Sequence, residues 1–254
     1  GQVFRFIYRD GLHMSFQELL CGADSECPIE IDVYIALSDT DKSSVTSHVE
    51  YPPYGEGAFS PENIMRFYKD KGARNATVSI LSDGEMQRYS DETDALVFAT
   101  GAGAAGMLEE QWVRNLRGLP TYDAQWPANS RMFLLRNLAY TAALKAQARQ
   151  PWEYERFLYL REDNAFVGGG RERGLLAAFD DASADVLVDC YCGWGSYSDK
   201  VYLANRKAAD RLWGATYGQH VEHVAEWANF GMAMDGTGTQ PTNSLQPEQF
   251  LEHV

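Results

Sequence analysis

Cationic side chains are scarce in this chain: 22 Lys and Arg stand against 36 Asp and Glu in 254 residues, a formal net charge of −14. That balance argues against a protein that coats nucleic acid or an anionic membrane, because both need a basic face. An anionic ligand remains admissible only beside a local cluster of arginines. No apolar run approaches the length of about 18 residues at which a transmembrane helix is suspected, and no secretory signal pattern is present. Cysteine is sparse too, four in all, with no C-x-x-C pair and no histidine-rich zinc spacing. Cys21 and Cys27 bracket a polar loop and can close a disulfide. Cys190 and Cys192 stand two apart on an expected strand, where an extended backbone holds them poorly for a mutual bond. The redox compartment stays open. The chain starts at Gly and enters a strand almost at once, as expected of a domain cut from a longer polypeptide.

What is present is ordinary globular material, 45% hydrophobic and 23% charged, long enough to bury a sizeable core. The 14 Tyr, 12 Phe and 6 Trp serve that core and also suit a surface that stacks on sugar rings. Apolar runs and alternation predict strands at 3–8, 29–37, 76–81, 95–100, 157–160, 185–190 and 200–204. In the second of these Ile31, Val33, Ile35 and Leu37 alternate with Asp32, Tyr34 and Ala36. Helices are expected at 14–20, 60–71, 108–116, 130–147, 171–179, 206–212, 219–230 and 247–253. The helix at 60 has a clear start in Ser60-Pro61-Glu62, a hydroxyl cap, a first-turn proline and an acid. Strands and helices alternate without an internal repeat or a dividing linker. The expected architecture is a single α/β domain with a mostly parallel central sheet flanked by helices.

Gly101-Ala102-Gly103-Ala104-Ala105-Gly106 matches G-x-G-x-x-G after an expected strand, the pattern of a dinucleotide-binding turn. That mechanism needs a second strand about 20 residues on, closed by an acid for the ribose. Here the following helix ends at Gly118-Leu119-Pro120, and residues 122–127 do not read as a strand. The segment is expected to be a flexible loop of small residues, and an oxidoreductase is the lesser alternative.

The stretch from Phe157 to Phe166 organises the rest. An apolar run, Phe157 to Leu160, breaks into Arg161-Glu162-Asp163-Asn164, and open α/β sheets present ligand sites at such strand ends. Other strand ends and one helix add polar groups: Arg9-Asp10, Ser38-Asp39-Thr40-Asp41, Arg136-Asn137, and the loop Gly193-Trp194-Gly195-Ser196-Tyr197-Ser198-Asp199. The order of an Arg-Asn pair inside a helix, then an apolar strand, then an acid pair resembles nucleotide-sugar glycosyltransferases of the GT-A fold. In family-two-like members an Ala-Arg-Asn helix precedes a strand carrying Asp-x-Asp. Leu135-Arg136-Asn137-Leu138-Ala139 and Phe157 to Asp163 occupy the corresponding places. Asp39 and Asp41 are similar to the acidic loop that holds the nucleoside. The segment from Ser198 to Arg206 and the closing Pro247 to His253 look like parts of capsule-type transferases.

The resemblance implies a nucleoside-diphosphate sugar as donor, a glycan as acceptor and a divalent cation, Mn²⁺ or Mg²⁺, held by Asp163 with Glu162. Arg161 stands where the family's first acid belongs. Departure of a nucleoside diphosphate builds negative charge, which a cation on a carboxylate and bidentate arginines can neutralise. Arg9, Arg136 and Arg161 would supply that local field, and Asn137, Asp39 and Asp41 would complete the donor site. Tyr191, Trp194 and Tyr197, bunched among glycines, are the acceptor-stacking candidates. Asp199 or Asp189 would be the carboxylate base beside the acceptor hydroxyl; inverting and retaining outcomes both stay open. The location would be cytoplasmic or Golgi-lumenal according to the parent chain, whose other domains would be its partners. A nucleotidyltransferase on a similar fold and a non-catalytic carbohydrate- or nucleotide-binding module are the alternatives.

Overall fold

The computed structural model describes residues 15–22, 28–38, 60–117, 122–160, 174–188, 201–215, 218–219, 221–222 and 225, with backbone alone at 116–117, 122–130 and 181–182. They form a mixed α/β structure. The chain divides into two compact units: Gly1–Asp83 with Ala142–Asp189 and Asp199–Ala208, and Gly84–Thr141 with Cys190–Ser198 and Ala209–Val254. The strand expected at 3–8 and the helix expected at 247–253 lie outside the described residues. No helix among the described residues is long and apolar enough to cross a membrane.

The first unit begins with helix α1, Phe16–Cys21. Its start is a reciprocal cap: the Ser15 hydroxyl accepts from the Glu18 amide at 3.2 Å, and the Glu18 carboxylate accepts from the Ser15 amide at 2.6 Å. The backbone hydrogen bond from Ser15 is the main reason the Glu18 carboxyl lies below its ordinary range. Cys21 closes α1 and is disulfide-bonded; the other three cysteines lie outside the described residues. Helix α2, Pro61–Asp70, starts as expected, with the Ser60 hydroxyl accepting from the Asn63 amide and proline in the first turn.

Strands β1 (Asp32–Ser38) and β2 (Asn75–Leu81) pair in parallel, Asp32 opposite Asn75 and Ser38 opposite Leu81, with α2 in the crossover between them. The period of two puts Val33, Ile35 and Leu37 on one face with Ala76, Val78 and Ile80. On β2 the opposite face, Asn75, Thr77 and Ser79, is exposed. Ile31 and Val33 pack on a core of Phe16, Leu19 and Ala73, joined by Phe67 and Tyr68 of α2 and Leu158 and Leu160 of strand β3 (Arg156–Leu160). A second sheet has the order β3-β5-β4, where β4 is Val186–Val188 and β5 is Val201–Asn205. Both pairings in it are antiparallel. The middle strand β5 is buried from Val201 to Ala204, which is why it reads as an unbroken apolar run rather than an alternating one. Helix α6 of this unit, Leu175–Ala182, enters at Gly174, where an added Cβ would stand 2.0 Å from the Leu20 carbonyl oxygen. Glycine lets the two backbones meet there.

The second unit holds helices α3 (Asp83–Ala105, after its first residue), α4 (Glu109–Arg117), most of α5 (Tyr122–Gln147) and, beyond helix α7 (Arg206–Ala209) of the first unit, a π-helical segment, Asp210–Ala215. The described strands form a two-stranded parallel sheet and a three-stranded antiparallel one, in keeping with the α/β class. One expectation is corrected. Residues 95–100, expected as a strand, lie inside the 23-residue helix α3. A short apolar run carries no period of its own, and contacts made outside the run decide.

One polar network ties the first unit together. Asp32 accepts from Arg74 Nε at 3.0 Å and Nη2 at 2.6 Å, from Asn75 Nδ2 at 3.0 Å and from the Tyr154 hydroxyl at 2.8 Å. Its side chain is only 4% exposed. With the Tyr154 proton directed at Asp32, Tyr34 donates to Tyr154 across 2.7 Å. Arg74 also reaches Glu30, and its guanidinium lies 4.8 Å from the centre of the Trp152 ring. Burial works against a charged Asp32, but hydrogen bonds from Arg74, Tyr154 and Asn75 outweigh it and hold the carboxyl below its ordinary range. Burial first, then the contacts with Tyr34 and Asp32, push the Tyr154 phenol far above its usual value.

Replacing Asp32 by Asn should lower unfolding free energy by about 2–3 kcal/mol, less than for a fully buried pair because Arg74 keeps part of its solvent contact. The folded Asp32 titrates below its unfolded value of about 3.9, so its contribution is complete above pH of about 4 and is lost as pH falls through the lower folded value. Urea unfolding of wild type and Asp32→Asn from neutral to acid pH should show the two curves converging only in acid. A constant gap at every pH would mean that the carboxylate charge is not what stabilises.

Candidate functional site

β5 lies between β3 and β4 and runs antiparallel to both. β3 and β4 therefore point the same way, and their carboxyl ends, Leu160 and Val188, meet the edge at which β5 begins. Leu160 is in register with Val201 and Val188 with Tyr202. Neighbouring strands stand about 4.8 Å apart, so these two carboxyl ends are separated by about 10 Å. The candidates of the focal stretch attach here in the chain: Arg161, Glu162 and Asp163 follow Leu160, Asp189 follows Val188, and Asp199 shortly precedes Val201. Their own positions lie outside the described residues, as do those of Arg9, Asp39, Asp41, Tyr191, Trp194 and Tyr197.

Arg136 and Asn137, in the second unit, are placed. Arg136 is buried at 5% exposure; its guanidinium carbon lies 5.5 Å from the Phe133 ring centre, and Nη2 is 3.5 Å from the Met132 sulfur. The helix face that carries Arg136 is thus an inward one. Asn137 donates from Nδ2 to the carbonyl oxygens of Trp213 at 2.9 Å and Gly214 at 3.0 Å. One turn on, the Tyr140 hydroxyl donates to Asp210 Oδ1 at 2.6 Å, and its ring meets Trp213 edge-on at 5.9 Å. Residues 137 and 140 share a helix face, so α5 offers an amide and a phenol to the last carbonyls and the first acid of the π-helical segment. The Asn137 amide thereby ties α5 to that segment.

The G-x-G-x-x-G segment is not a loop. Gly101 to Ala105 form the last turn and more of α3, and Gly106, with φ of +65°, ends it. A phosphate-binding turn leads into a helix amino end, where free amides face the ligand; here the glycines lie at a carboxyl end. Gly101 has a packing role instead. A Cβ there would lie 2.0 Å from Cζ2 of Trp112, a fully buried indole of α4 whose ring also meets Phe98 at 6.1 Å.

The Asp32 network is what sequence reasoning missed. Its only trace is the polar Asp32 and Tyr34 interleaved with Ile31, Val33 and Ile35; the partners Arg74 and Tyr154 are far off in the chain. It sits at the amino ends of β1, β2 and β3, whereas α/β sheets take ligands beyond their carboxyl ends, so its work is to hold strands. Among the described residues no group of three or more His, Cys, Asp or Glu is placed to hold a metal ion. No protein-family model matches the chain, and no curated protein or solved structure matches it.

Two substitutions check these placements by thermal or chemical unfolding. Gly101→Ala should cost about 1–3 kcal/mol by driving a methyl into the Trp112 ring, where an alanine in an open helix would stabilise instead. Asn137→Ala should cost about 1–3 kcal/mol through the two hydrogen bonds it removes. Asn137→Asp, which brings acceptors to acceptors, should cost more; equal stability of the two variants would remove the amide from that role.

Proposed function

We propose that the chain is a glycosyltransferase with a GT-A-like architecture, moving a sugar from a nucleoside-diphosphate donor to a glycan acceptor. The diphosphate binds at the end of β3. The observation that carries the reading is the meeting of the carboxyl ends of β3 and β4 with the start of β5. The strand length and spacing of a sheet keep Asp163, three residues past Leu160, within about 10 Å of it, and Asp189 and Asp199 are tied closer still to the same edge. The resemblance of the 157–163 stretch supplies the chemistry.

In that chemistry a carboxylate, Asp199 or Asp189, takes the proton of the acceptor hydroxyl as its oxygen bonds to the anomeric carbon. The bond from that carbon to the diphosphate breaks, and its electron pair leaves with the diphosphate oxygen. Arg161, the residue after β3 in the chain, would meet the growing charge with paired donors. Asp39 and Asp41 belong to the nucleoside, and Tyr191, Trp194 and Tyr197 to the acceptor ring. Asp163 with Glu162 would hold a divalent cation, which would neutralise charge on the diphosphate.

Thermal shift against UDP, GDP, NAD and FAD, each with and without Mn²⁺, tests the donor class. One nucleoside diphosphate at a hundredfold excess over its dissociation constant should raise the melting temperature by about 5–10 °C. Stabilisation by a dinucleotide alone would overturn the reading. Donor-sugar hydrolysis should fall at least about a hundredfold in Asp163→Ala, and turnover equal to wild type would remove Asp163 from the site. Nucleotide binding without hydrolysis or transfer would leave a binding module.

A further inference from the structure

Along one edge β1 pairs with β2, and along one edge β3 pairs with β5; along the other edge neither pairs with a described strand. Those two edges belong to one place in the first unit. At the amino ends Tyr154, two residues before β3, reaches Asp32 at 2.8 Å and Tyr34 at 2.7 Å. Further on, Ile31 and Val33 rest on the same core of Phe16, Leu19 and Ala73 as Leu158 and Leu160 of β3. β1 and β3 thus run the same way over helix α1, yet they are not hydrogen-bonded to each other.

Helix α1 itself occupies a middle place. The Phe16 amide donates at 2.9 Å to the carbonyl of Lys71, at the end of α2, and the Phe16 ring stacks on Tyr68. At the other end of α1 the Leu20 carbonyl abuts Gly174, the entrance to α6. A helix is about 10–12 Å across, roughly two strand spacings of about 4.8 Å. Two strands that share α1 without pairing therefore leave room between them for one more.

We infer that residues 3–8 form the strand between β1 and β3, parallel to both, and join the two sheets into one. The chain names the occupant. Of the strands expected from the sequence, 3–8 is the one that lies wholly outside the described residues. A strand covered on both faces reads as a nearly unbroken apolar run, and Val3-Phe4-Arg5-Phe6-Ile7-Tyr8 carries a single charge. The period of two sets Phe4, Phe6 and Tyr8 on one face and Val3, Arg5 and Ile7 on the other. The aromatic face suits the core that α1 supplies. Arg5 suits the opposite face, to which the same alternation in β1 assigns Asp32 and Tyr34.

The connection gives the direction. Antiparallel neighbours need only a tight turn, whereas parallel ones need a crossover of about a dozen residues or more. The stretch from Arg9 to Ile31 is long enough for a crossover and contains α1. A parallel strand then delivers Arg9 to the carboxyl edge, between Asp39, which follows β1, and Arg161, which follows β3. The strand stands apart from the reaction proposed above; the use of Arg9 on a diphosphate rests on that reading.

Nuclear Overhauser contacts in the isotope-labelled full chain test the strand. Amide protons of residues 3–8 should show cross-strand contacts to both 33–37 and 157–160, without the short Hα–Hα contacts of antiparallel pairs. These amides should also exchange with solvent as slowly as those of β1. Contacts to one neighbour only, contacts to neither, or an antiparallel pattern would overturn the inference. Arg9→Ala should keep the wild-type melting temperature and weaken binding of the nucleoside diphosphate about tenfold or more. Wild-type affinity in that variant would remove Arg9 from the diphosphate. The contacts without any nucleotide binding would refute the donor reading and leave the strand; nucleotide binding without the contacts would do the reverse.

Discussion

The Asp32 carboxylate is the group on which the first unit depends. Four hydrogen bonds from three side chains reach it, and acceptor and donors together stand at the entrances to three strands. Asp32 opens β1, Arg74 and Asn75 open β2, and Tyr154 precedes β3. A two-stranded parallel pair has little pairing of its own to fix its register, and the shared carboxylate sets Asp32 against Asn75 by geometry rather than by propensity. The Tyr154 contact then joins that pair to the second sheet, with Trp152 on the Arg74 guanidinium and Phe157 against the Tyr154 ring at 5.9 Å. An ion in so closed a place is tolerable because its acceptor sites are met; half of the network would be worse than none.

Local chemistry was readable in the sequence where it acts over a few residues. The cap of α2 at Ser60 and the strand β1 are both present as expected, because a hydroxyl three residues before an amide and a run of β-branched residues act locally; β1 itself is half-buried along its whole length. α3 shows the limit. Ala95 to Thr100 is apolar and short, and such a run is equally a strand or a piece of helix. The deciding contact is the Trp112 ring on Gly101, which lies outside the run. The same contact explains why glycines that match a nucleotide motif stand in a helix: the close approach of an indole demands a missing Cβ just as a phosphate would. Pattern alone does not tell these two uses apart.

The candidate site was readable in a different measure. That Phe157 to Leu160 is a strand ending in charged residues follows from the run itself. That β5 separates β3 from β4 does not, because pairing between segments distant in the chain depends on which faces remain to be covered. Arg136 and Asn137 show why an isolated motif is ambiguous: both are placed, and both have partners within the second unit, Phe133 and Met132 for the one and the carbonyls of Trp213 and Gly214 for the other. An arginine packed on a ring and an asparagine across a helix end are common needs of a helical core.

Within the first unit, the two ends of the strands thus differ in kind. At the amino ends charges and hydroxyls are matched to one another around the buried Asp32 carboxylate. At the carboxyl ends of β3 and β4 the described sheet is apolar up to its last residues, with β5 buried between them, and the chain turns acidic immediately afterwards. A site that must hold reacting groups in place needs a support that does not itself move. A polar network completed at one end of the strands provides that support. The reason to look for chemistry after Leu160 is therefore not only that acids occur there in the chain, but that they follow a sheet end whose strands are anchored from the other.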